Sequence, residues 1–213
     1  MRHIRLFVQA IAKVVGLIKA GDPDFALETI RTTFHDLLGT SLDDFLAFPD
    51  DRILDFLTFG EVGQLGMSKA GLAANLLMQA GAAWRLKDQP QEAAACFDKS
   101  IRLLLEVHLA EGEGQPPLLP EFAPPLEDIL AEVAPAGLSA DTLGALVFYF
   151  EKQAAYGRAD GFLHAMLAKA PTDADTLAFG RSFYEYLLEE SDENLETGGL
   201  PRPQILAALA RLL

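Results

Sequence analysis

The chain has 213 residues, half of them apolar, and carries 17 Lys and Arg against 31 Asp and Glu, a formal charge of −14. A chain of this length buries roughly 70% of the surface its unfolded form exposes, so it needs neither metal nor disulfide to hold a core. Its composition lies far from that of disordered chains, and the single Cys96 excludes an intramolecular disulfide and a cysteine-only zinc cluster.

The charge is unevenly spread. Residues 1–40 carry five bases and four acids, residues 41–110 six and ten, and residues 111–213 six and seventeen. Nucleic-acid binding draws its affinity from basic groups on phosphates, so an acidic chain without a basic run is not expected to bind nucleic acid. The N-terminus, with Arg2 and Arg5 ahead of an apolar stretch, superficially resembles a targeting segment. Gln9 and Lys13 interrupt it and no small-residue cleavage site follows, so it reads as part of the fold. No run approaches the roughly 18 apolar residues of a membrane span. The expectation is a single all-α domain over 1–213, cytoplasmic and not membrane-bound.

Ile4, Phe7, Val8, Ile11, Val14, Val15 and Ile18 recur at helical spacing and predict a first amphipathic helix, ended by Gly21-Asp22-Pro23. A second helix is predicted over about 24–38, broken by Gly39-Thr40-Ser41, and a shorter piece over 50–59 with Ile53, Leu54 and Leu57 inward. Gly60, Gly63 and Gly66 mark a connection, after which Ser68 is expected to cap a long helix to about Leu86. That helix is rich in Gly and Ala, a composition that permits close packing. Asp88-Gln89-Pro90 opens a helix to about Leu109. The stretch 111–125, with Pro116, Pro117, Pro120, Pro124 and Pro125, forbids continuous helix. Further helices are predicted over about 126–133, 142–156, 160–168, 173–189 and 203–213, with 190–202 an acidic loop before the last. No alternating strand or hairpin turn appears, so the expected fold is all-α, about ten helices in antiparallel hairpins.

The chain also repeats itself. Residues 17–30 align without gaps on residues 84–97, each with a large apolar residue before the turn, a Pro in it and an Ala three residues later; Ala26 and Ala93 are 67 positions apart. That is about twice the 34-residue period of tetratricopeptide repeats. Leu77, Ala80, Gly81, Trp84, Ala93 and Phe97 occupy the spacing of that repeat's large, small and aromatic positions, and the segment resembles the tetratricopeptide family. A third copy places Phe150, Ala159, Leu163 and Pro171 equivalently. The resemblance spans about half the chain; the first copy lacks the Gly and aromatic positions, and an irregular helical bundle is the alternative architecture. It implies hairpins stacked in a repeat array whose first helices line a concave surface for a peptide or partner helix. The lining positions are Asn75, Met78 and Arg85 in the middle copy and Phe148 and Glu151 in the third. In the first copy they fall on Val8, Ile11, Val15 and Ile18, which are apolar enough to predict cover by another helix or by a second subunit.

Signals for chemistry are few. No phosphate loop, nucleophile elbow or zinc-helix motif occurs, and the glycines at 60, 63 and 66 have the wrong spacing for a dinucleotide site. His35-Asp36, with His3 upstream, resembles the metal-binding doublet of the all-α HD phosphohydrolases, which needs a further His and a distant Asp. Glu106 and His108 lie two apart, on different helix faces. His164 reads as a satisfied core or boundary residue and Cys96 as a small buried hydrophobe. The carboxylates of 185–196 lack the spacing of a calcium loop. The expected function is therefore non-catalytic: a protein-interaction or scaffold module, without catalytic residues, metal or cofactor, that binds a protein or peptide and has a possible homo-oligomer contact. The alternative is an all-α metal-dependent hydrolase or small-ligand sensor using His35, Asp36 or the acidic stretch.

Overall fold

The computed structural model describes residues 2–49, 52–59, 64–110 and 119–212. Among these, twelve α-helices and a 3-10 turn account for the regular structure, and none forms a strand. The chain gathers into two compact units, Met1–Leu138 and Ser139–Leu213. No helix among the described residues is long and apolar enough to cross a membrane.

The first unit is organised by two hairpins. Helices α1 (Arg2–Lys19) and α2 (Pro23–Leu38) form one, α5 (Gln64–Leu86) and α6 (Pro90–Ala110) the other, and α2 packs on α5. Phe7, Val14, Ala26, Leu27, Ile30 and Phe34 of the first hairpin are buried, as are Leu76, Leu77, Ala80, Ala93, Phe97, Ile101 and Leu104 of the second. The α5/α6 pair approaches closely for a specific reason. A Cβ at Gly81 would lie 2.6 Å from a ring carbon of the buried Phe97, so only glycine leaves room for that ring. Ser100 Oγ donates across the pair to the Ala74 carbonyl at 2.7 Å. Short helices α3 (Leu42–Ala47) and α4 (Ile53–Thr58) connect the hairpins, and α7 (Leu126–Leu130) and the 3-10 turn Pro135–Gly137 close the unit against α6.

In the second unit α8 (Ala140–Lys152) and α9 (Tyr156–Lys169) form a hairpin, followed by α10 (Ala174–Leu187), α11 (Asp192–Thr197) and α12 (Arg202–Leu209). Ser139 and Asp173 cap α8 and α10, accepting from the amides of Thr142 and Thr176 at 3.1 and 2.8 Å. Arg202 ties the end of α10 together. Its guanidinium donates to Asp192 Oδ1 at 2.5 Å and to the carbonyls of Leu188 and Glu190 at 2.8 and 2.5 Å, satisfying groups that a helix end leaves unpaired.

Three hairpin turns share one construction. Gly21, Asp88 and Ala154 are left-handed, with φ of +74°, +56° and +53°. The next amide donates to the carbonyl five residues back in each case, Asp22 to Leu17, Gln89 to Trp84 and Ala155 to Phe150, at 2.9–3.1 Å. Ala26, Ala93 and Ala159 then sit at equal distance past each turn, all buried. Glycine accepts that backbone freely; Asp88 and Ala154 accept it at a cost.

Several boundaries differ from expectation. There are twelve helices rather than ten because α3 and α11 are six residues long, too short to display a period; both are instead announced by Ser41 and Ser191, whose Oγ atoms accept from the amides of Asp44 and Asn194. The 190–202 stretch thus contains a helix. Ser68 lies inside α5 rather than at its start, since the helix already begins at Gln64, and Gly66 lies within it where a Cβ would meet Thr58 at 2.6 Å. Tyr156 opens α9 rather than ending α8, and α7 is shorter than 126–133. Trp84 is half-buried, with Arg31 and Lys87 cations 5.8 and 5.2 Å from its ring centre. Residues 50, 51, 60–63 and 111–118 of the predicted connections lie outside the described residues.

Candidate functional site

Asn75, Met78 and Arg85 share one face of α5 with Gly71, as their spacing requires. In the structure this face is not an open groove. The segment from Pro120 to Glu132 lies along it. A Cβ at Gly71 would touch Ala123 and Pro120 at 3.0 and 3.1 Å, and Asn75 Nδ2 donates to the Phe122 carbonyl at 2.8 Å. Arg85 forms an ion pair with the Glu132 carboxylate and donates to its carbonyl at 3.1 Å. Phe122 packs on Phe7 of α1 with ring centres 5.4 Å apart, and Leu126 and Ile129 are buried. Met78 is half-buried on the same face. The expectation that this face receives a separate peptide overlooked the chain's own return, because nothing in a proline-rich sequence says what it lies on. One polar atom is left over: Asn75 Oδ1 is buried with no hydrogen-bond partner among the described residues.

The α8 positions behave differently. Phe148 is 50% exposed and packs edge-on against Phe179 of α10, ring centres 5.3 Å apart. Glu151, one turn further along the same face, is half-buried, and loss of water holds its carboxyl above the ordinary range. Among the described residues its carboxylate makes neither a hydrogen bond nor an ion pair. The buried Tyr156 at the start of α9 feels it: burial raises that phenol first, followed by the Glu190 carboxylate, the Tyr186 phenol when ionised, and Glu151. Tyr186, 48% exposed, lies two turns beyond Phe179 on α10. The result is a face with two exposed rings, Phe148 and Tyr186, a half-buried Phe179 packed on the first, and an uncompensated carboxylate one turn from Phe148. Phe179 and Tyr186 are additions to the predicted pair; their seven-residue spacing is the signal by which the sequence marks them.

On α1 the four apolar positions predicted to need cover are covered unequally. Val8 is 53% exposed, and Ile11, Val15 and Ile18 are half-buried. Leu6 and Phe25 are exposed as well, with the Lys13 ammonium 4.5 Å from the Phe25 ring centre.

The groups suggestive of catalysis do not converge. His35 and Asp36 are exposed at the end of α2, and the His3 side chain lies outside the described residues. Among the described residues no three His, Cys, Asp or Glu side chains come together as a metal would require. Glu106 pairs with Arg102 at 2.5 Å, Asp192 with Arg202, and Glu190 accepts from Asn194 Nδ2 at 2.9 Å, so these carboxylates serve local ties. Asp160 joins α9 to α10 by accepting from Tyr184 Oη at 2.6 Å; burial first and then this hydrogen bond raise the phenol, while the exposed His164 has Nδ1 3.3 Å from the other Asp160 oxygen. Cys96 is buried, and burial followed by Asp43 and Glu92 pushes its thiol up to about 12, so at neutral pH it is no nucleophile.

The chain belongs to a family of unknown function (DUF6483), whose match covers residues 1–213. No curated protein and no solved structure matches it.

Proposed function

We propose that this member of the family is a non-catalytic protein-interaction module built from tetratricopeptide-like hairpins, that it works in the cytoplasm, and that its binding face is the α8–α10 surface of the second unit. The observation that carries the reading is the exposed Phe148 on Phe179, with Tyr186 further along: large rings left in water next to a carboxylate that has lost water without gaining a partner. Aromatic rings of this kind dominate the energetics of protein interfaces, where a few truncations each cost about 2 kcal/mol or more. The three hairpin turns of identical construction, set 67 and 66 residues apart, support the repeat architecture. A reduced, buried Cys96 suits the cytoplasm. Exposed Leu6 and Val8 on α1 make that helix the place for a contact between copies of the chain.

The test is a photo-reactive phenylalanine analogue installed at Phe148 in the full chain and irradiated in the native cell. The expected result is a discrete adduct with another polypeptide, absent when the analogue is placed at the exposed Ala168 of α9. Adducts of equal yield at both positions, or none at Phe148, overturn the reading.

A further inference from the structure

We propose that the α8–α10 face is a receptor for a cationic side chain, arginine or lysine, presented by a linear segment of a partner protein, with Glu151 as its counter-ion and Phe148 and Tyr186 as its walls. This rests on the interaction-module reading and adds the chemistry of the ligand.

A half-buried carboxylate costs stability unless it is paired, and natural folds pair such groups. Glu151 is the exception in its unit: no hydrogen bond or ion pair to it occurs among the described residues, and burial alone accounts for its raised pKa. The unit's own arginines are turned to other work. Arg202 holds Asp192 and the end of α10, the Arg158 guanidinium lies 3.9 Å from the Phe150 ring centre, and Arg181 and Arg211 donate to carbonyls of their own helices. Lys152 is adjacent in sequence, about 100° around the helix and exposed. Eleven acids against six bases in residues 139–213 make the potential around this face negative, so it draws cations and repels acidic or phosphorylated segments. The carboxylates of Glu190 and Glu151 both act on Tyr156 at the start of α9, after its burial, so two of the unit's acids lie near one another at this end. Aromatic faces add to this, since a ring quadrupole attracts a cation as well as an apolar stem. An arginine or lysine side chain supplies the missing partner of Glu151 and covers Phe148 and Tyr186 in one step.

The experiment uses the full chain and fluorescein-labelled synthetic peptides in which leucine alternates with arginine, glutamine or glutamate, followed by anisotropy. The Leu–Arg peptide is expected to bind, and Glu151→Gln to weaken it about tenfold or more, a change that corresponds to about 1.4 kcal/mol. Glu193→Gln removes the same charge from an exposed position on α11 and should leave binding unchanged, which separates a site from general attraction to an acidic protein. Phe148→Ser should weaken binding as well; tyrosine fluorescence checks that each variant folds, since Tyr149, Tyr156, Tyr184 and Tyr186 all lie in this unit. Unchanged Leu–Arg binding by Glu151→Gln, an equal effect of Glu193→Gln, or tighter binding of the Leu–Glu peptide overturns the cation receptor. Equal binding of Leu–Arg and Leu–Gln, both lost in Phe148→Ser, overturns the counter-ion and leaves the interaction surface standing. Failure of the Leu–Arg peptide to bind overturns the receptor, whereas the module reading stands or falls on cross-linking at Phe148.

Discussion

Replacing Gly81 by Ala tests the close approach of α5 and α6 on which the first unit is built. The added methyl would lie 2.6, 2.7 and 2.9 Å from Cε1, Cζ and Cδ1 of Phe97, well inside the optimum of about 3.5–4.0 Å between carbons. The Phe97 ring is 1% exposed and cannot swing into water, so the helix pair must part or the ring must leave its rotamer, at about 1–3 kcal/mol. Against that stands a gain of about 1 kcal/mol from replacing glycine by alanine within a helix. The expected net effect is destabilisation of about 1 kcal/mol. In a Phe97→Leu background the two nearest ring atoms are gone, and the same change should be neutral or stabilising by up to about 1 kcal/mol, a coupling of about 1–3 kcal/mol. Urea unfolding followed through Trp84 reads this directly, because it is the only tryptophan and lies one turn from Gly81. If Gly81→Ala stabilises the unmodified chain by the full propensity gain, ring and helix are not in contact and the packing described above is wrong.

Other expectations follow from single residues. At pH 8 the Cys96 thiol, with a pKa near 12, should react with a disulfide reagent about three orders of magnitude more slowly in the folded chain than in denaturant; comparable rates would contradict its burial. Glu151 has a folded pKa above its unfolded one, so the folded state holds the proton more tightly and its contribution to stability falls as pH rises through that window; Glu151→Gln should raise Tm near neutral pH and not at pH about 4, read by tyrosine-monitored melts. Ala154→Gly should stabilise the second unit by up to about 1 kcal/mol, since relief of a left-handed alanine exceeds the entropy glycine adds, and Gly21→Ala should cost the first unit about 1 kcal/mol; chemical denaturation of the two variants should show opposite shifts. Arg202→Lys should lower the melting temperature of the second unit, because a single ammonium cannot replace a planar fork that bonds Asp192 and two carbonyls at once.

The all-helical class and the long helices were legible because the apolar period of α1 ends before Gly21, Pro23 opens α2 and Gly39 stops it, and Pro90 opens α6. The repeat was legible from Ala26, Ala93 and Ala159, whose small size is imposed by burial after a common turn. What escaped was whatever leaves no periodic trace. The six-residue helices α3 and α11 carry only their serine caps, and the left-handed turn before α9 is invisible because alanine stands where glycine would announce it. Of the predicted surface residues, the exposed Phe148 and the half-buried Glu151 lie one turn apart on α8, whereas Asn75 is held under the Phe122 carbonyl and Arg85, still exposed, is tied to Glu132. Which outcome each position meets is decided by a segment far away in sequence, Pro120 to Glu132, whose destination its own composition does not encode.

The two faces diverge because different forces act on them. On α5, the unsatisfied Asn75 Oδ1 costs about 1–3 kcal/mol, which offsets the hydrogen bonds from Asn75 and Arg85 to the Phe122 and Glu132 carbonyls at about 1 kcal/mol each, and the Arg85–Glu132 pair, partly exposed on both sides, contributes about 0–1 kcal/mol. Polar contacts alone would therefore not hold the 120–132 segment in place. Its apolar side chains do: Leu126 and Ile129 are buried, at roughly 1.5–3 kcal/mol each, and Phe122 rests on Phe7. That balance makes the segment a standing wall of the first unit rather than a removable ligand. Among the described residues of the second unit no such segment returns over α8 and α10, and Phe148 and Tyr186 stay exposed there. On the proposed reading a partner gains the burial of these rings only if it also answers Glu151, so hydrophobic area would favour association at this face and the unpaired carboxylate would decide among partners.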